Sequence, residues 1–239
     1  MQLMISVINA EEAKDAAEAG ANILDVKNPI EGSLGAQFPR VIKQVKKSSA
    51  GLVKVSAAIG DMPNLPGTAA LAALGAASCG IDYLKVGLFG SYTQAQAIYL
   101  LNEIRLALCD YPTIAIIAGG YADAERAGTL NPIWLPNIAA SSGIAGCLID
   151  TAIKDGHTLL EFISPVDLHT LVTEAHASGL LVGLAGALRE QDLPVIRQIG
   201  ADVAGIRSAV CRDRNRNGPL DSDQVRRLCK INALSHQLA

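Results

Sequence analysis

The chain has 239 residues, close to the roughly 250 that eight alternating strand and helix units need. Half of the residues are hydrophobic and the formal net charge is -3, which argues against general nucleic-acid binding, because that needs a clustered positive excess. The apolar stretches are shorter than the ~18 residues of a membrane span, and no basic signal-peptide region opens the chain. The five cysteines form no CxxC pair and are odd in number, so we expect free thiols in a soluble, cytoplasmic protein.

Short β-rich runs alternate with helical runs along the whole chain. The predicted strands cover residues 3–7, 22–27, 52–59, 83–88, 113–118, 146–150, 181–184 and 203–206. The predicted helices cover residues 10–19, 40–47, 67–78, 93–109, 133–140, 165–177, 192–198 and 222–233. Run length and β-branched content indicate the strands, and apolar period indicates the helices. Glycines at or near the boundaries predict left-handed helix ends, at Gly20, Gly80, Gly128, Gly143, Gly179 and Gly200.

This alternation predicts a single-domain (β/α)8 TIM barrel that spans residues 1–239, since no linker divides the chain. The alternative is a doubly wound open sheet, which usually carries a GxGxxG loop after its first strand. Here the first strand is followed by Ile8-Asn9-Ala10, which favours the barrel. In such a barrel the catalytic groups lie at the C-terminal ends of the strands.

Three strand ends carry lysines and aspartates that we expect to face the barrel mouth. Side chains alternate along a strand, so Asp25 and Lys27 share the inner face if Val26 packs under a helix. The same argument turns Lys85 inward, and the sixth strand delivers Asp150 with Lys154 in the following loop. Each could be a structural ion pair or a surface lysine, but charges facing inward are costly unless they are used.

A cluster of this kind suits imine chemistry. A free lysine is almost wholly protonated at neutral pH and is a poor nucleophile. Neighbouring ammonium groups and burial disfavour the charged form, after which the amine can attack a carbonyl and form a Schiff base. The other lysines can bind phosphate or move protons, and the aspartates can act as acid or base.

The loops after the last two strands fit a phosphate site. Barrels commonly bind phosphate there through backbone N–H groups and a short helix N-terminus. The candidate residues are Gly183, Gly186, Gly205, Arg207 and Ser208. The alternative interpretation is that these are ordinary barrel turns.

Metal and cofactor motifs are weak. The segment from Asp213 to Gly218 mimics the start of a calcium loop, but its twelfth position is Gln224 and arginines fill the gaps between ligands. We therefore predict a solvated loop that leads into a helix capped by Asp221 or Ser222. No two of the four histidines pair with an acid at strand ends, so we expect neither a metal nor a cofactor.

The strand-end motifs resemble those of the (5-formylfuran-3-yl)methyl phosphate synthases, and the likeness covers nearly the whole chain. The matching stretches are Asp25-Val26-Lys27-Asn28-Pro29, Glu31-Gly32-Ser33-Leu34-Gly35-Ala36, Val55-Ser56-Ala57-Ala58-Ile59-Gly60-Asp61, Tyr83-Leu84-Lys85-Val86-Gly87 and Asp150-Thr151-Ala152-Ile153-Lys154-Asp155-Gly156. The family makes a furan precursor of methanofuran from two molecules of glyceraldehyde 3-phosphate. The resemblance implies that Lys27 forms the Schiff base and Lys85 accepts a proton. It further implies supporting roles for Asp25, Asp150 and Lys154.

The residues alone support only an imine-forming, aldolase-type barrel acting on a small phosphorylated aldehyde. The furan product comes from the resemblance. A generic class I aldolase for another phosphosugar is one alternative, and a non-catalytic phosphosugar-binding barrel is another. We expect no nucleic-acid or membrane partner. The sequence does not decide the oligomeric state, and a homo-oligomer stays open.

Overall fold

The computed structural model describes residues 1–49 and 51–234 and forms a closed parallel barrel. Each strand pairs with the next in sequence, and β8 closes the ring by pairing with β1. The strands are β1 Gln2–Val7, β2 Ile23–Val26, β3 Lys54–Pro63, β4 Tyr83–Gly90, β5 Ala115–Tyr121, β6 Gly146–Asp150, β7 Leu181–Leu184 and β8 Val203–Ile206. The predicted barrel and the order of its eight strands are therefore confirmed.

Helices connect the strands around the outside. They are α1 Ala10–Glu18, α2 Pro39–Ser48, α3 Pro66–Ala77, α4 Gln94–Ala107, α5 Ala124–Ala127, α6 Leu135–Ser142, α7 Leu159–Phe162, α8 Pro165–Ala177, α9 Leu193–Ile199 and α10 Ser222–Leu234. The six glycines predicted at boundaries all have positive φ. The prediction missed α5 and α7, because four residues make barely one helical turn and show no period. Within the described residues, no helix is long and apolar enough to cross a bilayer.

Strands β3 and β4 run further than the sequence suggests. Register shifts between Ala58 and Asp61, and again between Asp61 and Pro63, keep β3 paired with β4 beyond Gly60. Such bulges tolerate glycine and proline, which otherwise weaken a strand. As a result Lys85 lies in the lower half of β4 rather than at its end, and Asp61 is brought to the barrel mouth.

The core has two parts. The larger one fills the space between the outer face of the strands and the helices, as expected for a parallel sheet buried on both faces. The smaller one fills the barrel interior with Met4, Ile23, Leu34, Ala58, Ile117, Leu148 and Ala185. These side chains form an apolar layer inside the barrel.

Candidate active site

A cavity of about 910 Å³ opens at the C-terminal end of the barrel. It is lined by all five predicted cluster residues and by the loops that follow β7 and β8. Nine of the lining residues are basic and five are acidic, although the whole chain has a net charge of -3. The cavity therefore concentrates positive charge, which favours an anionic ligand.

Lys85 and Asp25 form a buried ion pair at the bottom of the cavity. The Nζ atom of Lys85 lies 2.6 Å from Oδ1 of Asp25, and the side chains are 3% and 0% exposed. The second carboxylate oxygen accepts a hydrogen bond from the Ser6 hydroxyl at 3.1 Å. Burial lowers the pKa of Lys85 and nearby Lys27 lowers it further, although Asp25 opposes both.

Asp150 is the carboxylate partner of the two other lysines. Lys154 Nζ lies 2.6 Å from one carboxylate oxygen, and Lys27 Nζ lies 3.7 Å from the other. Burial favours protonated Asp150, but Lys154, Lys27 and the Thr151 N–H outweigh it, so the pKa of Asp150 is lowered. Burial likewise lowers the pKa of Lys154 to about 8, against the attraction of Asp150. The pairing is thus between strands, whereas the sequence suggested Asp25 with Lys27.

Lys27 differs from the other two lysines in its partners. Its amine donates to the Ser33 carbonyl at 3.2 Å, and its carboxylate contact at 3.7 Å is too long for a hydrogen bond. The side chain is buried but lines the cavity. Lys27 is therefore the lysine most easily turned toward a carbonyl carbon.

The loop above Lys27 is held by Asp61, which the sequence analysis missed. Its carboxylate accepts from the N–H groups of Ser33 at 2.9 Å and Leu34 at 3.2 Å, and from the Tyr121 hydroxyl. Burial and then Asp61 raise the pKa of Tyr121 well above its usual value, so the phenol keeps its proton and donates. Asp61 thereby fixes the Ser33 peptide on which the Lys27 amine rests.

A second missed carboxylate holds the loop that carries Lys154. Asp123 is buried and accepts from the N–H groups of Ala152 at 2.6 Å and Ile153 at 2.9 Å. Asp61 and Asp123 both follow strand segments that the sequence patterns ended too early. Asp61 lies within the extended part of β3, and Asp123 follows the extended β5. The longer strands are the signal that would have found both residues.

Two loops on the other side of the cavity offer unpaired backbone donors. In the described part of the chain, the N–H groups of Gly186, Ala187, Ser208 and Ala209 have no protein acceptor. All four residues line the cavity. Gly186 has φ +110, which other residues rarely adopt. These donors match the anion-binding loops predicted after β7 and β8.

Two of the residues predicted to bind phosphate have other roles, and a third only forms part of the cavity wall. Gly183 lies inside β7, where a Cβ atom would come within 2.6 Å of Leu148, so it makes room for the core instead. Arg207 donates all five of its N–H groups to protein oxygens, including both carboxylate oxygens of Glu12. Gly205 is a strand residue that lines the cavity floor.

The loop that resembled a calcium site instead presents Arg216 to the cavity. Asp213 and Arg214 have left-handed φ values of 54° and 55° there. Arg216 is half-buried, lines the cavity and donates to the Gly32 carbonyl at 3.1 Å. Among residues 1–49 and 51–234, no group of three His, Cys, Asp or Glu side chains is arranged to hold a metal ion.

A closed barrel with a lysine–aspartate cluster at the C-terminal strand ends is the architecture of a barrel enzyme. The chain matches the family model described as 4-HFC-P synthase over residues 3–229 and belongs to that family. It is similar to the (5-formylfuran-3-yl)methyl phosphate synthase of Methanocaldococcus jannaschii, at 45% identity over 97% of this chain and 99% of that protein. The Methanosarcina acetivorans protein of the same name is 49% identical over 88% of this chain and 91% of that protein.

Solved structures share the barrel. Phosphoribosyl anthranilate isomerase from Thermus thermophilus superposes with a TM-score of 0.65 at 16% identity, covering 98% of this chain and 100% of that one. Orotidine 5′-phosphate decarboxylase from Pyrococcus horikoshii OT3 gives the same score and identity over 97% of this chain and 99% of that one. At these identities the likeness concerns the fold alone.

Proposed function

We propose that this protein is a lyase that condenses two glyceraldehyde 3-phosphate molecules into (5-formylfuran-3-yl)methyl phosphate, a step of methanofuran biosynthesis. The names of the relatives support this product. The observation that carries the mechanism is the amine of Lys27, which lines a cationic cavity and has no short carboxylate contact. Such an amine can form a Schiff base with the aldehyde carbon.

Lys85 and Asp25 are placed to move the proton that activates the imine. The imine withdraws electrons, so the adjacent carbon loses a proton and becomes an enamine nucleophile. Lys85 accepts that proton in its neutral amine form, which burial favours by lowering its pKa. Asp25 then stabilises the ammonium at 2.6 Å. The enamine adds to the second aldehyde and joins the two three-carbon units.

Asp150 and Lys154 are suited to the later eliminations. Lys154 has a pKa of about 8, so near neutral pH it can donate a proton to a departing hydroxyl and recover it afterwards. Loss of one phosphate and two water molecules from the condensed sugar balances the atoms of the furan product. The sequence of steps needs no oxidant or reductant, and ring aromaticity draws it forward.

The free backbone donors hold one substrate phosphate. Gly186, Ala187, Ser208 and Ala209 face the same cavity as Lys27, and their N–H groups suit a dianion. An aldehyde whose phosphate binds there can place its other end at the lysine cluster.

The test is incubation of the purified, EDTA-treated protein with glyceraldehyde 3-phosphate alone. We expect a furan chromophore to grow with one inorganic phosphate released per furan. A six-carbon aldol product without phosphate release would instead support a generic class I aldolase. If no substrate is consumed, the barrel is a phosphosugar-binding protein.

A further inference from the structure

Arg216 lines the cavity from the later part of the connection between β8 and α10, and the proposed function gives it no role. Its guanidinium lines the cavity and donates one N–H to the Gly32 carbonyl at 3.1 Å. Within the described residues, no carboxylate lies within 4.0 Å of it, since Arg216 forms no salt bridge there. The guanidinium therefore has no carboxylate in direct contact there, although Asp150 and Asp61 attract it from further away and oppose the lowering of its pKa by burial.

The loop that carries Arg216 is anchored rather than loose. Arg207 donates to the carbonyls of Arg216 at 2.9 Å and Gly218 at 2.9 Å, and its charge is balanced by Glu12 at 2.6 Å. Glu12 also accepts from the Leu220 N–H at 3.2 Å. A buried ion pair thus fixes both ends of the segment between residues 216 and 220, so Arg216 is held over the cavity.

The part of the cavity that contains the lysine cluster and Arg216 has more cationic than anionic side chains. Lys27, Lys85, Lys154 and Arg216 face it, whereas only Asp25 and Asp150 oppose them there. Arg207 adds nothing to this balance because Glu12 neutralises it. Because the proposed chemistry uses Lys27 and Lys85 as neutral amines, Arg216 is the cation of this set that keeps its charge throughout the reaction. A guanidinium binds phosphate well because its planar fork matches two oxygen atoms.

Arg216 lies on the Lys27 side of the cavity, although it belongs to the same connection between β8 and α10 as Ser208 and Ala209. The carbonyls of Gly32 and Ser33, consecutive residues, accept from Arg216 and Lys27 respectively. The donors of Gly186 and Ser208 follow directly after β7 and β8, whereas Arg216 comes later in the same β8–α10 connection and contacts the loop after β2. The cavity thus has two anion-attracting places, one made of backbone N–H groups and one made of Arg216.

We infer that Arg216 binds the phosphate of the second aldehyde, and so determines specificity for the molecule that the enamine attacks. The inference rests on the proposed function, in which two phosphorylated aldehydes occupy the cavity. The first aldehyde keeps its phosphate on the backbone donors, and Arg216 holds the electrophile with its carbonyl near the enamine. It takes the place that the sequence analysis gave to Arg207.

The test separates binding of the two aldehydes. Borohydride trapping at increasing glyceraldehyde 3-phosphate gives the half-saturating concentration for the first molecule. Furan formation gives kcat/KM for the complete reaction. The variants are Arg216→Gln, Arg216→Lys and the control Arg226→Gln, which removes the same charge from the exposed face of α10 outside the cavity. Thermal unfolding of each variant checks the fold.

For Arg216→Gln we expect kcat/KM for furan formation to fall roughly ten- to a hundred-fold, as for loss of one charge-assisted hydrogen-bonded contact. Trapping should change less than about two-fold, and Arg216→Lys should recover part of the loss, because an ammonium keeps the charge without the fork. Arg226→Gln should match the wild type in both assays.

Equal values of kcat/KM for furan formation in Arg216→Gln and Arg226→Gln would overturn the inference about Arg216 but not the proposed function. The inference would also be wrong if the half-saturating concentration for trapping rose by the same factor by which kcat/KM for furan formation fell. Arg216 would then bind the first aldehyde. A wild-type protein that neither traps the aldehyde nor forms furan would overturn the proposed function and this inference together.

Discussion

Two buried ion pairs lie at the C-terminal end of the barrel and have opposite characters. Arg207 and Glu12 meet at 2.6 Å, and Arg207 uses every N–H group it has on protein oxygens. Lys85 and Asp25 also meet at 2.6 Å, but both line the cavity, and Lys85 has no partner besides Asp25 within hydrogen-bond distance in the described residues. An ion pair whose N–H groups all have protein acceptors can only support structure. A pair with free hydrogen-bonding groups facing a cavity can exchange protons with a ligand. From this contrast we expect the Arg207–Glu12 pair to stabilise the fold, and we propose that the Lys85–Asp25 pair takes part in the chemistry.

The largest effect should come from the reactive cluster. Lys27→Arg should reduce furan formation to background and abolish borohydride trapping, because a guanidinium is not deprotonated in proteins and cannot form an imine. Mass spectrometry of wild-type protein treated with substrate and borohydride should place the adduct on the peptide that contains Lys27. An adduct on Lys85 or Lys154 instead would contradict the assignment. Unfolding temperatures of wild type and variant should agree.

Removing the charge of Glu12 from its pair with Arg207 should reduce the free energy of unfolding instead. Glu12→Gln leaves the Arg207 charge buried without a counter-charge, so we expect a loss of about 3 kcal/mol in the free energy of unfolding. The matched control is Glu18→Gln, whose carboxylate is 66% exposed and lies 3.9 Å from Lys14. That change should alter stability by less than about 0.5 kcal/mol. Urea titrations of both variants measure the difference, and equal midpoints would remove the structural role of Glu12.

The phosphate loops should show an intermediate effect, on binding rather than turnover. In Gly186→Ala the new Cβ atom would lie 3.0 Å from Thr151, and φ +110 is strained for alanine. The displaced N–H donors should raise KM roughly ten-fold with little change in kcat, as for lost uniform binding. Gly143→Ala is the control, because its φ of +61 is also left-handed but nothing lies within 4 Å. Similar KM values for the two variants would contradict the phosphate site.

The sequence predicted which lysines and aspartates face the cavity better than it predicted their ion-pair partners. Strand alternation alone turned Asp25 and Lys85 inward, because the side-chain period along a strand is fixed. It gave no ion-pair partners, because the contacts of Asp25 with Lys85 and of Lys27 with Asp150 join strands that are not neighbours in the barrel. Arg207 was misassigned for the same reason, as Glu12 lies 195 residues away along the chain. Asp61 was missed because a bulge extends β3 beyond the glycine that ended the prediction.

The smallest expected effect concerns the pH dependence that Lys154 gives to kcat. Lys154 contacts Asp150 at 2.6 Å, and burial, assisted by Lys27 and Arg216, lowers its pKa from 10.5 to about 8. If its ammonium supplies the proton for dehydration, kcat should fall as pH rises through about 8. Lys154→Arg should lose that pH dependence, because its side chain stays protonated.

The free energy of unfolding should rise over the pH range in which kcat falls. Between about 8 and 10.5 the folded Lys154 has released its proton while the unfolded chain still binds one, so stability rises with pH there. Wild type should therefore gain stability relative to Lys154→Arg between these values, while its kcat falls. Measuring urea midpoints and kcat on the same samples separates deprotonation from unfolding. A fall in kcat that Lys154→Arg shares would assign the titration to another group.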